Sequence, residues 1–335
     1  MTEACPALAS ELVGLTLVPV RKPITVTSFF AGCGGMDLGF LGDFQFLGEK
    51  TEKLPFEVIE SFDYDAKAVA TYRANIDQRI EIRDLADPRV DEMKGADVLI
   101  GGFPCQDFSS CGPKRGLTSE RGQLYRALVS YMRTHQPMVV VAENVPHLER
   151  IHGGEALVQI MADFQAAGYR FEKWRLFAPD YGVPQNRTRI FLVGVRKDIT
   201  GHPVKPSPTH IGSHRSIEWA IRDLEPVVDE SVANQSQYFL ASKAKNGNGQ
   251  GDEVSRADEP AYTVRANAKS RVQFHYKLPR RLTVRECARL QTFPDDFIFV
   301  HSATTNIMQI GNAVPPLLAH HVARSVATFV ESAQD

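Results

Sequence analysis

The chain has 335 residues, 43% of them hydrophobic and 23% charged, which suits one large globular domain plus a smaller one and argues against a disordered chain. Net charge is −2, so bulk charge does not mark a nucleic-acid protein, and no apolar run approaches the ~20 residues of a membrane span. The five cysteines, Cys5, Cys33, Cys105, Cys111 and Cys287, are odd in number and include no C-x-x-C pair, which argues against a disulfide framework and a zinc site.

Residues 1–23 read as an extension without the basic start and apolar core of a signal peptide, so a cytoplasmic location is expected. Residues 24–30 read as a strand that runs into Ala31-Gly32-Cys33-Gly34-Gly35 and a helix start. Glycines there let backbone approach a ligand, although many such loops are only tight turns. The strand at 56–62 ends on Asp63-Tyr64-Asp65. An acid at the end of the second strand of a nucleotide-binding unit typically bonds ribose hydroxyls. Its spacing from the glycines exceeds the usual value of about 20 residues, and an insertion at 41–55 accounts for the excess.

A helix is expected over 65–75, then a short strand around 81–83 that ends on Asp84. The apolar run at 96–100 is a buried strand leading into Gly101-Gly102-Phe103-Pro104-Cys105-Gln106-Asp107-Phe108-Ser109. Pro104 fixes its own φ and holds Phe103 extended, so the thiol of Cys105 sits on a stiff loop. Most cysteines outside disulfides only pack, and it is the position of Cys105 that argues for chemistry. A helix over 122–135 precedes a buried strand at 138–142, which ends on Glu143-Asn144-Val145-Pro146.

Strands alternating with helices predict an α/β fold with a mainly parallel sheet. The glycine loop, Asp63, Asp84, Cys105 and Glu143 all follow strands, so they share one sheet edge and one cleft. Further on, a helix is expected at 154–167 and two strands, as a hairpin, at 169–177 and 190–195. Between them stands Gln185-Asn186-Arg187-Thr188-Arg189, whose two arginines point to one side. They are either a surface pair or a grip on an anion or a base edge. Residues 200–275 are rich in Gly, Pro, Ser, Asn and His and read as a loop-rich domain. Between Ala261 and Arg281 lie Arg265, Lys269, Arg271, Lys277, Arg280 and Arg281 with no Asp or Glu among them, as a phosphate-binding stretch or a solvated basic face. Thr283 and Glu286 have capping-box spacing for a helix that ends before Pro294, and Gln309 to Pro316 lead into a closing helix.

Taken together these stretches resemble the DNA (cytosine-5) methyltransferases over nearly the whole chain, in the family's order. Phe30-Ala31-Gly32-Cys33-Gly34-Gly35 is similar to the cofactor loop, Gly102-Phe103-Pro104-Cys105-Gln106 with Phe108-Ser109 to the nucleophile loop, and Glu143-Asn144-Val145 to the catalytic acid motif. Gln185-x-Arg187-x-Arg189 resembles the base-contacting motif, and Arg285-Glu286 with Leu290-Gln291-x-Phe293-Pro294 and Gly311-Asn312-Ala313-Val314-Pro315 resemble the two closing motifs. The resemblance implies a Rossmann-like S-adenosylmethionine-dependent catalytic domain at 24–196, a target-recognition domain at 197–280, and a return to the catalytic domain at 281–335.

It further implies S-adenosyl-L-methionine as cofactor, with S-adenosyl-L-homocysteine as product, and duplex DNA as the partner, its target base flipped out. Cys105 would add to the ring covalently and Glu143 would supply a proton. Asn144 would orient the loop, Arg189 would bond the base carbonyl, and Arg187 would support it or bind phosphate. Phe30, Ala31, Gly32, Cys33, Gly34 and Gly35 would take the methionine part, Asp63 the ribose, Tyr64 the adenine face and Asp84 the adenine amino group. Leu85, Pro104, Asn312 and Val314 would complete that pocket. Gln106, Ser109, Gln185, Thr263, Arg265, Lys269 and Arg271 would contact DNA, and Gly101 and Gly102 would leave room for the base. No metal is expected. The family often has Glu where Asp63 stands. A monomeric bacterial modification enzyme is expected, with a cognate restriction endonuclease acting on the same site. Rival readings are a cysteine hydrolase using His147 as base and a transfer-RNA methyltransferase of the same family; the loop-rich basic domain favours DNA.

Overall fold

A computed structural model describes residues 22–104, 124–238, 254–266 and 273–334. In chain order it holds β1 (Ile24–Phe29), α1 (Gly35–Leu41), β2 (Gln45–Phe46), β3 (Glu49–Lys50), β4 (Phe56–Asp63), α2 (Ala66–Asn75), β5 (Glu81–Ile82), β6 (Val98–Gly102) and α3 (Tyr125–His135). There follow β7 (Val139–Asn144), α4 (Glu155–Ala166), β8 (Tyr169–Phe177), β9 (Thr188–Arg196), α5 (Ile217–Ile221), α6 (Val284–Leu290), α7 (Ala303–Asn312) and α8 (Pro316–Gln334).

Seven strands form one sheet in the order β5-β4-β1-β6-β7-β9-β8. The five from β5 to β7 are parallel, and β9 and β8 close the sheet as an antiparallel hairpin. This is the mainly parallel α/β fold expected from the alternation of strands and helices. Chain order runs outward from β1 in both directions, to β4 and β5 on one side and to β6 and β7 on the other. Such a switch point leaves a crevice at the carboxyl ends of the strands.

The central strands are apolar at nearly every position because both faces are covered. Val26, Ile100, Val139 and Val141 pack with Leu318, Val322 and Val326 of α8 on one face. Leu99, Val140 and Ala142 alternate with them and pack against Leu128 and Met132 of α3 and Ile160 and Phe164 of α4 on the other. Each such side chain, wholly removed from water, contributes about 1.5–3 kcal/mol. A third apolar cluster joins Ile217, Ile221 and Leu224 to Val264, Leu290 and Ile310, so the segment after β9 shares its core with α6 and α7.

Three strands run further than their apolar runs suggested. β6 includes Gly101 and Gly102, β7 includes Glu143 and Asn144, and β9 begins at Thr188. The pairing carries them on: Gly102 lies opposite Glu143, and Glu143 opposite Phe191. The helix starts follow local chemistry. Asp65 caps α2, its Oδ1 accepting from Lys67 N at 2.9 Å. At α6 the capping box is complete, with Thr283 Oγ1 accepting from Glu286 N at 3.0 Å and Glu286 Oε2 accepting from Thr283 N at 2.8 Å. The 41–55 insertion carries the β2–β3 hairpin, tied outward by Glu49 to Arg215 and by Glu52 to Arg324.

Candidate active site

The carboxyl ends of β1, β4, β6 and β7 open onto one cavity of about 490 Å³. On leaving β1 the chain turns sharply, with Phe30 at φ 56° and Gly32 at φ 57°. Asp63 pins this turn: its Oδ2 accepts from Gly32 N and its Oδ1 from Asp65 N, both at 2.8 Å. Burial raises the pKa of Asp63, against the pull of those two N–H groups. A carboxylate has about four acceptor positions, so two bonds leave capacity facing the cavity. Beside it Tyr64 stands 73% exposed, a large aromatic face without a partner cover. Asp84 lines the same wall in an exposed position, Oδ1 accepting from Ala86 N at 2.9 Å, with Leu85 buried beneath.

Phe30, Ala31, Gly32, Cys33, Gly35, Pro104, Asn312 and Val314 also line the cavity. Gly34 does not. It faces α2, where an added Cβ would lie 2.9 Å from Tyr72 and closer still to Ile76, and its φ of 94° suits glycine. Gly35 touches the closing segment, since a Cβ there would lie 2.4 Å from Val314 O. Gly35→Ala is therefore expected to force these backbones apart, destabilise the protein by about 1–3 kcal/mol and weaken ligand binding in the cavity. Thermal melting with calorimetric titration of S-adenosylhomocysteine checks this; unchanged values would contradict the contact.

Glu143 and Arg189 sit on paired strands at the far wall, each 8% exposed. Arg189 Nε lies 2.8 Å from Glu143 Oε1, yet the approach is misaligned and that oxygen has no hydrogen bond. Burial is the largest influence on Glu143 and raises its pKa, against the opposing charges of Arg189 and Arg187. Burial likewise lowers that of Arg189, against the charge of Glu143. Removing both charges from water outweighs their attraction, so this carboxyl holds a proton more readily than an exposed one. Asn144 donates from Nδ2 to Phe103 O at 2.9 Å and accepts Val145 N at 2.9 Å on Oδ1, which fixes the exit of β6. His147 lines the cavity from an exposed position.

Several expected roles change. Gly101 does not line the cavity: a Cβ there would meet Leu128 and Phe29 O at 3.1 Å, so it serves helix packing. Gly102 does line it, and a Cβ there would lie 3.1 Å from Glu143 Oε2. Gln185 is fully buried and cannot touch DNA: its amide bonds Leu290 O, Gln291 Oε1 and Val264 N. Arg187 is 1% exposed, does not line the cavity, and bonds the carbonyl oxygens of Val264, Gly311 and Ala313. It reaches neither a base nor a phosphate.

In the basic stretch, Lys277 pairs with Glu225 and Arg280 with Glu286, so neither is a free phosphate ligand. Arg265 is exposed, and the partly exposed Thr263 donates to Asn186 O. Cys105, Gln106, Ser109, Lys269 and Arg271 lie outside the described residues.

Two wall residues escaped the sequence reading. Asp37 accepts from Tyr72 OH at 3.0 Å while its Oδ2 has no partner, and burial pushes its carboxyl up to about 6. Gln309 accepts from Thr71 Oγ1 at 2.8 Å while its Nε2 has no partner. Each stands two residues outside a family-like motif, Asp37 after Gly35 and Gln309 before Gly311, and that adjacency was the available signal.

A family model described as C-5 cytosine-specific DNA methylase matches residues 24–328. The Type II methyltransferase M.NgoFVII of Neisseria gonorrhoeae is 33% identical over 91% of this chain and 87% of its own length. Type II methyltransferase M.BspRI of Lysinibacillus sphaericus is 33% identical over 98% of this chain and 87% of its own. In fold, the crystal structure of S. pombe Dnmt2 methyltransferase is similar with a TM-score of 0.67 at 16% identity, covering 92% of this chain and 99% of that one.

Proposed function

The chain belongs to the C-5 cytosine-specific DNA methylases, and from that premise we propose that it methylates carbon 5 of a cytosine within a specific duplex DNA sequence. We assign it to a restriction–modification system, in keeping with the Type II names of its relatives. One observation carries the reading: a single cavity joins the glycine loop, Asp63 and Asp84 to the buried Glu143–Arg189 pair.

S-adenosylmethionine has an adenine, a ribose diol and a zwitterionic amino-acid end. The cavity offers a matching set: exposed Tyr64, Asp63 with spare acceptors, Asp84, loop N–H groups, and the unpartnered atoms of Asp37 and Gln309. At about 490 Å³ it is of ligand-binding size. Tyr64 would cover the adenine, Asp84 would accept from its amino group, Asp63 would hold the ribose, and residues 30–35 with Asn312 and Val314 would hold the amino-acid end. Bound there, the cofactor would supply a methyl group on a sulfonium.

The chain's own residues prepare the base. Cys105 adds as thiolate to carbon 6 of cytosine, and the electron pair it brings makes carbon 5 nucleophilic. Glu143 gives a proton to ring nitrogen 3 as negative charge reaches it. Arg189 donates to the base carbonyl oxygen. Once carbon 5 carries the methyl group, its proton passes to water, the electron pair released expels Cys105 as thiolate, and ring nitrogen 3 returns its proton to Glu143. A cytosine inside a duplex cannot reach a strand-end cavity, so it is flipped out at a cost of a few kcal/mol. Residues 197–280 act as the target-recognition domain, and contacts to the duplex are assigned to Thr263, Arg265, Lys269, Arg271, Gln106 and Ser109. In a bacterial cell this work lies in the cytoplasm.

Bisulfite sequencing tests this in a host lacking its own cytosine methylation. Cells expressing the protein should show one short sequence protected at one cytosine; uniform conversion would contradict the proposal.

A further inference from the structure

Gln185 and Arg187 lie behind the cavity, and three other segments meet at their side chains. Gln185 Oε1 accepts from Val264 N at 2.8 Å, and its Nε2 donates to Leu290 O and Gln291 Oε1 at 2.9 Å each. Arg187 Nη1 donates to Val264 O at 3.1 Å, while its Nη2 donates to Gly311 O and Ala313 O at 2.8 Å each. Gln291 Nε2 completes the set on Ile310 O at 2.6 Å and Ala313 O at 3.1 Å.

Both peptide groups flanking Val264 are thus gripped, one through its N–H and one through its C=O. Those peptides lead directly to Thr263 on one side and Arg265 on the other. At the opposite end of the grip, Gly311 and Ala313 are walls of the cavity. The two segments also touch without intermediaries: a Cβ on Gly311 would lie 2.4 Å from Arg265 C and Ala266 N. Gln185 and Arg187 are 0% and 1% exposed, so water cannot replace a bond that opens. A planar fork of donors holds several carbonyls at fixed angles, which an ammonium cannot do.

We propose that Gln185 and Arg187 are positioning residues, forming a clasp through which duplex at Thr263–Arg265 and cofactor in the cavity strengthen each other's binding. The inference rests on the cofactor and duplex assignments of the proposed function. The first ligand to settle orders peptides that the second would otherwise have to order, and this gives positive coupling with no large movement. Linkage makes the factor equal in both directions.

The test titrates S-adenosylhomocysteine into the full chain by calorimetry, with and without sheared unmethylated genomic DNA. The duplex is expected to tighten cofactor binding about tenfold, within the usual range of coupling. In Arg187→Lys that ratio should fall to within about twofold of one, while each ligand alone still binds. A purely structural role would lower the melting temperature and leave the ratio intact, which overturns the proposal. Should Arg187→Lys fail to fold, Gln185→Met, which removes the grip on Val264 N, takes its place. Independently, hydrogen exchange at Val264 to Ala266 of the unaltered protein should slow on adding S-adenosylhomocysteine alone; no change overturns the proposal. A wild-type chain that binds both ligands without mutual enhancement defeats the clasp only. One that binds neither defeats the functional reading beneath it.

Discussion

Glu143→Gln is expected to lower turnover by about 10²–10⁴-fold while S-adenosylhomocysteine binding stays within about twofold of wild type. Glutamine keeps the shape and a donor N–H but has no proton to give to a ring nitrogen. The cofactor loop lies on β1 and the acid on β7, with β6 between them, so the loss should fall on the chemical step. Burial raises the pKa of Glu143 against the charges of Arg189 and Arg187, which sets the sign of the pH dependence. The reacting form is the protonated one, so wild-type turnover should fall as pH rises through that raised value. The residual rate of Glu143→Gln should lack this limb. A pH profile of single-turnover rates checks both points, and equal turnover would remove Glu143 from the mechanism. At pH values above that raised value, where Glu143 is ionised, the variant also leaves Arg189 without its opposing charge at 8% exposure and should melt lower than wild type.

Cys105→Ala is expected to abolish turnover to the detection limit, because neither described cysteine can replace it. Cys33 and Cys287 are buried. Burial is the main cause that pushes the Cys33 thiol up to about 12, and it raises that of Cys287 further. Neither is a thiolate near neutral pH. Cofactor and duplex should still bind to Cys105→Ala, since the groups assigned to them stand on other segments. Retained methyl transfer in a chain whose only change is Cys105→Ala would require a different nucleophile.

Much of the fold was legible because its signals are local. β-branched runs bounded by glycine and acid marked β1, β4, β6 and β7 and placed the glycine loop, Asp63 and Glu143 at strand ends, while Asp84 follows the short β5. The capping box of α6 needed only Thr283 and Glu286. Polar side chains whose partners lie far along the chain were not legible. Arg187 reads as a surface or phosphate-binding arginine until Val264 and Ala313, 77 and 126 residues away, present their carbonyls to it. Gln185 is hidden for the same reason. Lys277 reads as free until Glu225, 52 residues earlier, neutralises it. The need for glycine at position 102 follows from register, since only the β6–β7 pairing sets it opposite Glu143.

The family fixes the class of reaction, and the arrangement around the cavity supports the parts proposed for its residues. Glu143 and Arg189 face the space at the end of β6, and Asn144 holds the Phe103–Pro104 step that leads to Cys105. A covalent bond from that cysteine to the base is the claim on which the rest depends. A duplex carrying 5-fluorocytosine at the methylated position, incubated with the protein and S-adenosylmethionine, tests it most directly. Fluorine cannot leave as the proton does, so the adduct is trapped. Peptide mapping by mass spectrometry should place the methylated fluorocytosine on Cys105, with no adduct in Cys105→Ala. An adduct on another residue, or methylated base without any adduct, would contradict the account.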